Sequence, residues 1–358
     1  MFRTALLFSG QGAQTVGMGK DLAQNFASAA DLFRQADTIL GNRVLSKLAY
    51  ADEVQGASEH RPRNVYGIPE ESSTGVTQQF AAEVEFRKNS TPLSSIMFDG
   101  PVETLTQTVV CQPALYVHGL VCLALLKEQL PNLSFHAAAG LSLGEFTAHA
   151  AAGTFDFTQG LRLVEQRAQF MQEACESTTG SMAAIIGAEE EKVRALAAAA
   201  DVDVANFNSP GQIVISGEKS KIKKAIEIAK EYGARKAIEL TVAGAFHSRL
   251  MLSAAEQLRL VLTETPITRP SLPVICNINA LPAESPETIR TALADQVTGS
   301  VRWTETIEYL IDHCHCNRFL ELGPGGTLAG LVSRIRKGTE VISISDTASL
   351  QAAVERLR

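Results

Sequence analysis

The chain has 358 residues, of which 45% are hydrophobic and 20% charged, and its formal net charge at pH 7 is −7. This length and apolar content predict one large domain with a smaller one attached, both able to bury a core. The negative charge argues against nucleic acid or an anionic membrane as the main partner.

Cysteines and apolar runs indicate the compartment. The six cysteines are scattered, which favours free thiols in a reducing cytoplasm. The chain opens without the pattern of a secretory signal, and no stretch is expected to reach the roughly 20 apolar residues of a membrane span. The HCHC run at 313–316 lacks the ligand spacing of a zinc site and has no second pair, so no metal is predicted.

Apolar runs alternate with stretches of helical period along the chain, which is typical of an α/β protein. The predicted elements of the larger part are, in chain order, a strand at 5–8, a helix at 113–126 beginning at a proline, a strand at 137–140, helices from 145 and at 157–174, and a strand at 318–322. Glycine-rich turns follow the first and last of these strands.

Between 181 and 240 the pattern changes. The predicted elements there are a strand at 181–186, a helix at 189–200, strands at 202–206 and 212–216, a helix at 219–232 and a strand at 235–240. This order is the split βαβ unit of ferredoxin-like domains. It predicts a small domain at 178–243 inserted into a large domain made of residues 1–177 and 244–358. Residues 51–95 are polar, hold three prolines and lack a period, and are predicted to be a long surface excursion.

The clearest chemical motif is GLSLG at 140–144, which fits the G-x-S-x-G pattern. A predicted strand precedes it and a helix follows, as in the nucleophile elbow of α/β-hydrolase-like domains. The sharp turn would expose the Ser142 hydroxyl, and the start of the helix would offer N–H groups to a developing oxyanion. The motif also arises by chance in chains rich in alanine and glycine, so the context carries the prediction.

A serine hydroxyl needs a base within hydrogen-bond reach. Of the seven histidines, His247 stands where the chain returns to the large domain, and it could face the cleft between the domains. From position alone, a structural histidine stays open as the alternative. Arg167 lies at the edge of an apolar helix face. It would either extend its guanidinium into water or, in a cleft, bind a carboxylate with two hydrogen bonds.

Taken together, the motifs resemble one family, the malonyl-CoA:acyl carrier protein transacylases of fatty acid synthesis and the related polyketide acyltransferase domains. The likeness covers nearly the whole chain apart from 51–95, and its specificity lies in the joint order of motifs that are weak alone. They are FSGQG at 8–12, QPA at 112–114, GLSLGE at 140–145, QR at 166–167, MQ at 171–172, NSPGQ at 208–212, FHS at 246–248, VRW at 301–303 and ELGPG at 321–325.

The resemblance implies a role for each matching residue. Ser142 would be the acylated nucleophile and His247 its general base and then acid. The backbone N–H groups of Gln11 and Leu143 would form the oxyanion hole, and Arg167 would pair with the malonyl carboxylate. The carbonyl oxygen of Gln296 would orient the histidine, in place of the acid of a triad.

The resemblance also implies malonyl-CoA and an acyl carrier protein as partners, with no metal or redox cofactor and with coenzyme A only as part of the substrate. The FHS motif goes with malonyl rather than methylmalonyl selection. Leu141 stands where the family usually has a histidine, which should spare the chemistry but change the polarity of the pocket. Two alternatives are an acyl hydrolase that clears carrier proteins and a non-catalytic docking module.

Overall fold

The structure is a computed structural model and describes residues 2–41 and 91–358. It contains nine strands in that part of the chain. The strands are β1 (Thr4–Phe8), β2 (Ala137–Gly140), β3 (Gly180–Ile186), β4 (Asp203–Ser209), β5 (Gln212–Glu218), β6 (Lys236–Glu239), β7 (Val274–Ile275), β8 (Arg318–Leu322) and β9 (Glu340–Ile344).

Fourteen α-helices accompany these strands in the described ranges. The first seven are α1 (Lys20–Asn25), α2 (Ala27–Leu40), α3 (Leu93–Asp99), α4 (Val102–Thr106), α5 (Thr108–Gln129), α6 (Leu143–Ala151) and α7 (Phe157–Ser177). The others are α8 (Glu190–Ala200), α9 (Lys219–Ile228), α10 (Leu252–Glu264), α11 (Pro286–Asp295), α12 (Trp303–Asp312), α13 (Thr327–Ile335) and α14 (Thr347–Leu357).

Five strands form a parallel sheet in the order β7-β2-β1-β8-β9. All five residues of the central strand β1 are buried, as expected for a strand with helices on both faces of its sheet. Because β1 and β2 are parallel neighbours, the turns at their carboxyl ends lie side by side. The backbone N–H of Leu141 donates to the carbonyl of Phe8 at 3.1 Å and joins the two turns. Binding sites of open α/β sheets form at this edge.

Four strands form a separate antiparallel sheet in the order β4-β5-β3-β6. Helices α8 and α9 cover it, and its apolar core is a cluster of its own. The predicted β-α-β-β-α-β order is confirmed, with a short 3-10 helix at Ala229–Tyr232 extending α9. Among the described residues, two backbone hydrogen bonds connect the strands of this sheet to the rest of the protein, between Phe207 and Val301 and between Val301 and Ala205. The protein is therefore α/β, with one parallel and one antiparallel sheet.

Helix α5 corrects two predictions. It begins at Thr108, five residues before Pro113, so the proline lies inside it. Burial of the apolar residues around the proline outweighs the loss of one backbone hydrogen bond. The 22-residue helix is also long and apolar enough to cross a membrane, contrary to the expectation that no stretch would be. Most of it is buried inside the protein, as in a core helix of a soluble fold.

Two other expectations change. Strand β8 is not the last strand of the parallel sheet. Strand β9 pairs with β8 at the sheet edge, and α14 packs on β9. The alternating burial of β9 is the pattern of an edge strand, and this strand was not predicted from the sequence. Residues 51–90 of the predicted excursion at 51–95 lie outside the described part of the chain. The last residues of the excursion belong to α3, where Ser94 bonds to the carboxylate of Asp37.

Candidate active site

The turn between β2 and α6 holds Ser142 in a conformation that is rare for a residue with a side chain. Its backbone angles are φ 54° and ψ −106°, outside the allowed helical and extended regions. Such strain persists only where the surroundings hold it in place. A Cβ atom on Gly140 would collide with the backbone of Gly144, and one on Gly144 would collide with the Phe8 carbonyl. Both motif glycines are therefore required by close backbone packing.

A pair of glycine substitutions tests this packing. Gly140→Ala is expected to lower the free energy of unfolding by about 1–3 kcal/mol or more, because backbone atoms must move to make room. Gly330→Ala is the control, since it lies in α13, exposed, with open space at its Cβ. It should stabilise the protein by up to about 1 kcal/mol. Urea unfolding of both variants measures the difference, and equal effects would contradict a tight elbow.

Ser142 and His247 are 105 residues apart in sequence and meet in the structure. The Ser142 Oγ lies 2.8 Å from His247 Nε2. The other ring nitrogen, Nδ1, lies 2.8 Å from the carbonyl of Gln296 and 3.2 Å from that of Gly299. Carbonyls only accept, so Nδ1 carries the proton and Nε2 is free to accept the serine proton. The backbone carbonyl of Gln296 thus makes the contact that the resemblance implies.

The surroundings of His247 keep its imidazole uncharged at neutral pH. Burial and, to a smaller extent, the positive charge of Arg167 together lower the pKa of His247 to about 4. A group with this pKa is unprotonated at neutral pH and available as a base. Its backbone φ of 55° is a second strained conformation in the site.

Arg167 does not extend into water. The residue is 1% exposed, and burial lowers the pKa of its guanidinium to about 10, so it stays charged. Nη2 donates to Ser142 Oγ at 3.0 Å and to Gln296 Oε1 at 2.9 Å, and Nη1 donates to Gln112 Oε1 at 2.6 Å. Within the described ranges it forms no ion pair with a carboxylate, which leaves a buried cation beside the serine.

The N–H groups of Gln11 and Leu143 have no hydrogen-bond acceptor among the described residues. Gln11 lies in the turn after β1, and Leu143 is the first residue of α6, where helix N–H groups lack a partner in the helix. Both residues line the cavity that contains Ser142. Two free donors at neighbouring strand ends are suited to an oxyanion that forms at the serine.

A cavity of about 490 Å³ connects these groups. Its wall comes from the parallel-sheet part, including Leu141, and from the antiparallel sheet, including Met182 and Asn206. Phe246 also lines it. Leu141 is half-buried, and the contact between Ser142 and His247 forms with leucine at that position. The cavity is large enough to hold an acyl group and part of the molecule to which that group is attached.

Beneath the elbow lies a polar network that the sequence motifs did not predict. Asn277 accepts from the N–H of Ser142 at 2.6 Å and donates to the carbonyl of Gly140 at 2.8 Å. Its own N–H donates to Glu145 Oε2 at 2.9 Å. The side chain of Gln296 donates to the same Glu145 oxygen at 2.7 Å. The available signal was a polar residue just beyond the buried strand β7, at the sheet edge that holds the elbow.

Behind the elbow, Glu145, His149 and Cys276 form the one group in the described part of the chain with the spacing of metal ligands, their ligand atoms lying within 4.8 Å of one another. Glu145 already accepts two hydrogen bonds. Burial raises the pKa of the Cys276 thiol well above its ordinary value, so the thiol keeps its proton. These properties fit a hydrogen-bonded core cluster better than a cation site, and we assign no metal or cofactor to it.

A strained serine, an oriented neutral histidine and two free N–H groups form an arrangement suited to acyl transfer through a covalent serine intermediate. Comparison with known proteins places the chain in such a class. The model of the acyl transferase domain family matches residues 5–343. The chain therefore belongs to the acyl transferase family, and the resemblance found from the motifs is confirmed.

Individual relatives are similar along their whole length. The malonyl CoA-acyl carrier protein transacylase of Bacillus subtilis is 34% identical, over 100% of this chain and 98% of that protein. An acyl carrier protein S-malonyltransferase from Vibrio cholerae has a solved structure with a TM-score of 0.81 at 35% identity, covering 98% of this chain and 99% of that one. A structure of a malonyl-transacylase in complex with a type II PKS acyl-carrier protein has a TM-score of 0.82 at 33% identity, covering 99% of each chain.

Proposed function

We propose that the protein transfers the malonyl group of malonyl-CoA to the phosphopantetheine thiol of an acyl carrier protein through an ester on Ser142. The observation that carries this proposal is the meeting of Ser142, His247 and the buried Arg167 in one cavity. A charged guanidinium without a carboxylate partner is costly to bury, and a bound carboxylate would recover much of that cost. The names of the full-length relatives support the same reaction.

In the first half-reaction, the malonyl carboxylate pairs with Arg167 and the thioester carbonyl lies over Ser142. His247 Nε2 takes the hydroxyl proton as Oγ attacks the carbonyl carbon. The oxyanion accepts hydrogen bonds from the N–H groups of Gln11 and Leu143. Collapse of this intermediate breaks the C–S bond, and the proton on His247 goes to the departing coenzyme A thiolate.

In the second half-reaction, the carrier thiol repeats the steps on the malonyl ester and restores the serine. A thioester becomes an oxyester and then a thioester, so the chemistry needs neither a metal nor a redox cofactor. The carbonyls of Gln296 and Gly299 hold the histidine in one tautomer throughout, in the role that a carboxylate has in other triads. Occupation of the pocket by the acyl group would also limit hydrolysis of the ester.

One experiment separates this function from its alternatives. Incubation with malonyl-CoA followed by intact-protein mass spectrometry should show one malonyl adduct that an acyl carrier protein removes. Rapid loss of the adduct as free acid would indicate the hydrolase, and no adduct would indicate a docking module. Arg167 counts against the hydrolase, because a neutral residue would suit uncharged acyl groups better.

The pH dependence of acylation provides a second test. Because the pKa of His247 is lowered to about 4, the base stays unprotonated as the pH falls and is lost only near that value. The single-turnover rate with malonyl-CoA should therefore stay nearly level between about pH 8 and 5.5. In Arg167→Ala one cause of the low pKa is gone, so the acid limb should move to higher pH. A midpoint near the ordinary histidine value in the wild type would contradict this.

We also propose finer assignments for the fold and its setting. The antiparallel sheet with its two helices is a ferredoxin-like domain at 178–243, supported by its element and strand order. Residues 1–177 and 244–358 form the α/β-hydrolase-like large domain, supported by the parallel sheet and the elbow. The protein works in the cytoplasm with malonyl-CoA and a carrier protein as partners, and neither nucleic acid nor a membrane takes part.

A further inference from the structure

The side-chain amide of Gln296 lies between the carboxyl group of Glu145 and the guanidinium of Arg167. Its Nε2 donates to Glu145 Oε2 at 2.7 Å and to the carbonyl of Ser142 at 2.9 Å. Its Oε1 accepts from Arg167 Nη2 at 2.9 Å. The amide dipole therefore points its positive end at the carboxylate and its negative end at the guanidinium.

Only one orientation of this amide satisfies both neighbours. A guanidinium has donors and no acceptor, and Glu145 Oε2 already acts as an acceptor for the Asn277 N–H. A rotated amide would set its NH₂ group against Arg167 and its oxygen against Glu145. Because Gln296, Glu145 and Arg167 are all fully or almost fully buried, water is not available to relieve either mismatch.

Of the two acceptors that hold Nε2, Glu145 is the stronger. The carbonyl of Ser142 also accepts the N–H of Glu145 in the first turn of α6, so it is shared. Burial raises the pKa of Glu145 to about 7, but Oε2 accepts the Asn277 N–H at 2.9 Å and is held as an acceptor for Gln296 by this contact. Glu145 does not itself contact Ser142 Oγ, His247 or Arg167 through any hydrogen bond between described residues.

We propose that Glu145 is a positioning residue for acyl selection, whose carboxylate orients the Gln296 amide so that Oε1 holds Arg167 at the acyl end of the cavity. The inference rests on the proposed function, in which Arg167 binds the malonyl carboxylate. Arg167 is then in place before the substrate arrives, and less ordering is required on binding. Arg167, which selects the substrate, is thus held by the side chain of Gln296, and the backbone carbonyl of the same Gln296 orients His247.

Two variants of Glu145 test this. Glu145→Leu removes the acceptor, whereas Glu145→Gln keeps an oxygen for Gln296 Nε2 and for the Asn277 N–H. The ratio of kcat/KM for malonyl-CoA to that for acetyl-CoA should fall about tenfold in Glu145→Leu, the size of one charge-assisted hydrogen bond. It should stay near the wild-type ratio in Glu145→Gln. An unchanged ratio in a folded Glu145→Leu protein would overturn the proposal.

A structural role would lower both activities together and leave the ratio unchanged. In an Arg167→Ala background, adding Glu145→Leu should therefore leave the ratio as it is, because the amide has no guanidinium to hold. A further fall there would also overturn the proposal.

If Glu145→Leu does not fold, Gln296→Met removes both amide contacts while keeping the backbone carbonyl, and the same fall in the ratio is expected. An unchanged ratio in Gln296→Met would count against the proposal equally.

Failure of the proposed function looks different from failure of this inference. A wild-type protein that forms no malonyl ester, or has no preference for malonyl-CoA over acetyl-CoA, contradicts the proposed function itself. A wild type with that preference, combined with a folded Glu145→Leu variant that keeps it, contradicts only the role of Glu145.

Discussion

Ser142→Ala is expected to abolish covalent acylation and to lower transfer by about four orders of magnitude or more, because among the described residues Ser142 supplies the one hydroxyl that hydrogen-bonds to His247. The fold should survive, since the change removes one hydroxyl at the cavity wall and leaves the elbow backbone intact. Intact-protein mass spectrometry after incubation with malonyl-CoA measures the adduct, and thermal unfolding checks the fold.

The useful control for Ser142→Ala is His247→Ala, which keeps the hydroxyl but removes the base 2.8 Å away. That variant should still form a malonyl ester, slowly, whereas the alanine at 142 should form none. A malonyl group attached to a folded Ser142→Ala protein would show that the nucleophile lies elsewhere.

Arg167→Ala should invert the preference between carboxylated and plain acyl groups. If the guanidinium pairs with the malonyl carboxylate, truncation removes a charge-assisted contact of about 1.5–3 kcal/mol, and more when buried. At about 1.4 kcal/mol per tenfold, kcat/KM for malonyl-CoA should drop by roughly ten- to several hundredfold. Acetyl-CoA has no carboxylate, so its kcat/KM should hold or rise as the buried charge disappears.

Arg167→Lys is the matched control for this prediction. It keeps the charge but loses the planar fork that bonds Ser142, Gln112 and Gln296 at once, so malonyl-CoA should be used at an intermediate rate. Parallel kcat/KM measurements on both thioesters decide the matter. An equal loss for the two thioesters in Arg167→Ala would show that the arginine supports the fold or binds coenzyme A, and does not select the acyl group.

The motifs sufficed to predict the turn that holds Ser142 and the order of the elements around it. A glycine–serine–glycine turn between a buried strand and a helix is a local feature, and so is the change of period at 181–240 that marks the antiparallel sheet. Strands β2 and β8 lie where the patterns placed them, because apolar runs bounded by turns carry that information within a few residues. The predicted start of helix α5 was wrong by five residues, because a buried helix has no polar face to mark its start.

Only the tertiary structure decided how distant residues meet. The sheet order makes β1 and β2 neighbours and so aligns the turns of Gln11 and Ser142, while the chain's return after the antiparallel sheet brings His247 to the serine. Burial of Arg167, which its helix position left open, follows from packing between segments far apart in sequence. The same holds for the links among Asn277, Glu145 and Gln296, since hydrogen bonds across more than 130 residues leave no periodic trace in the sequence.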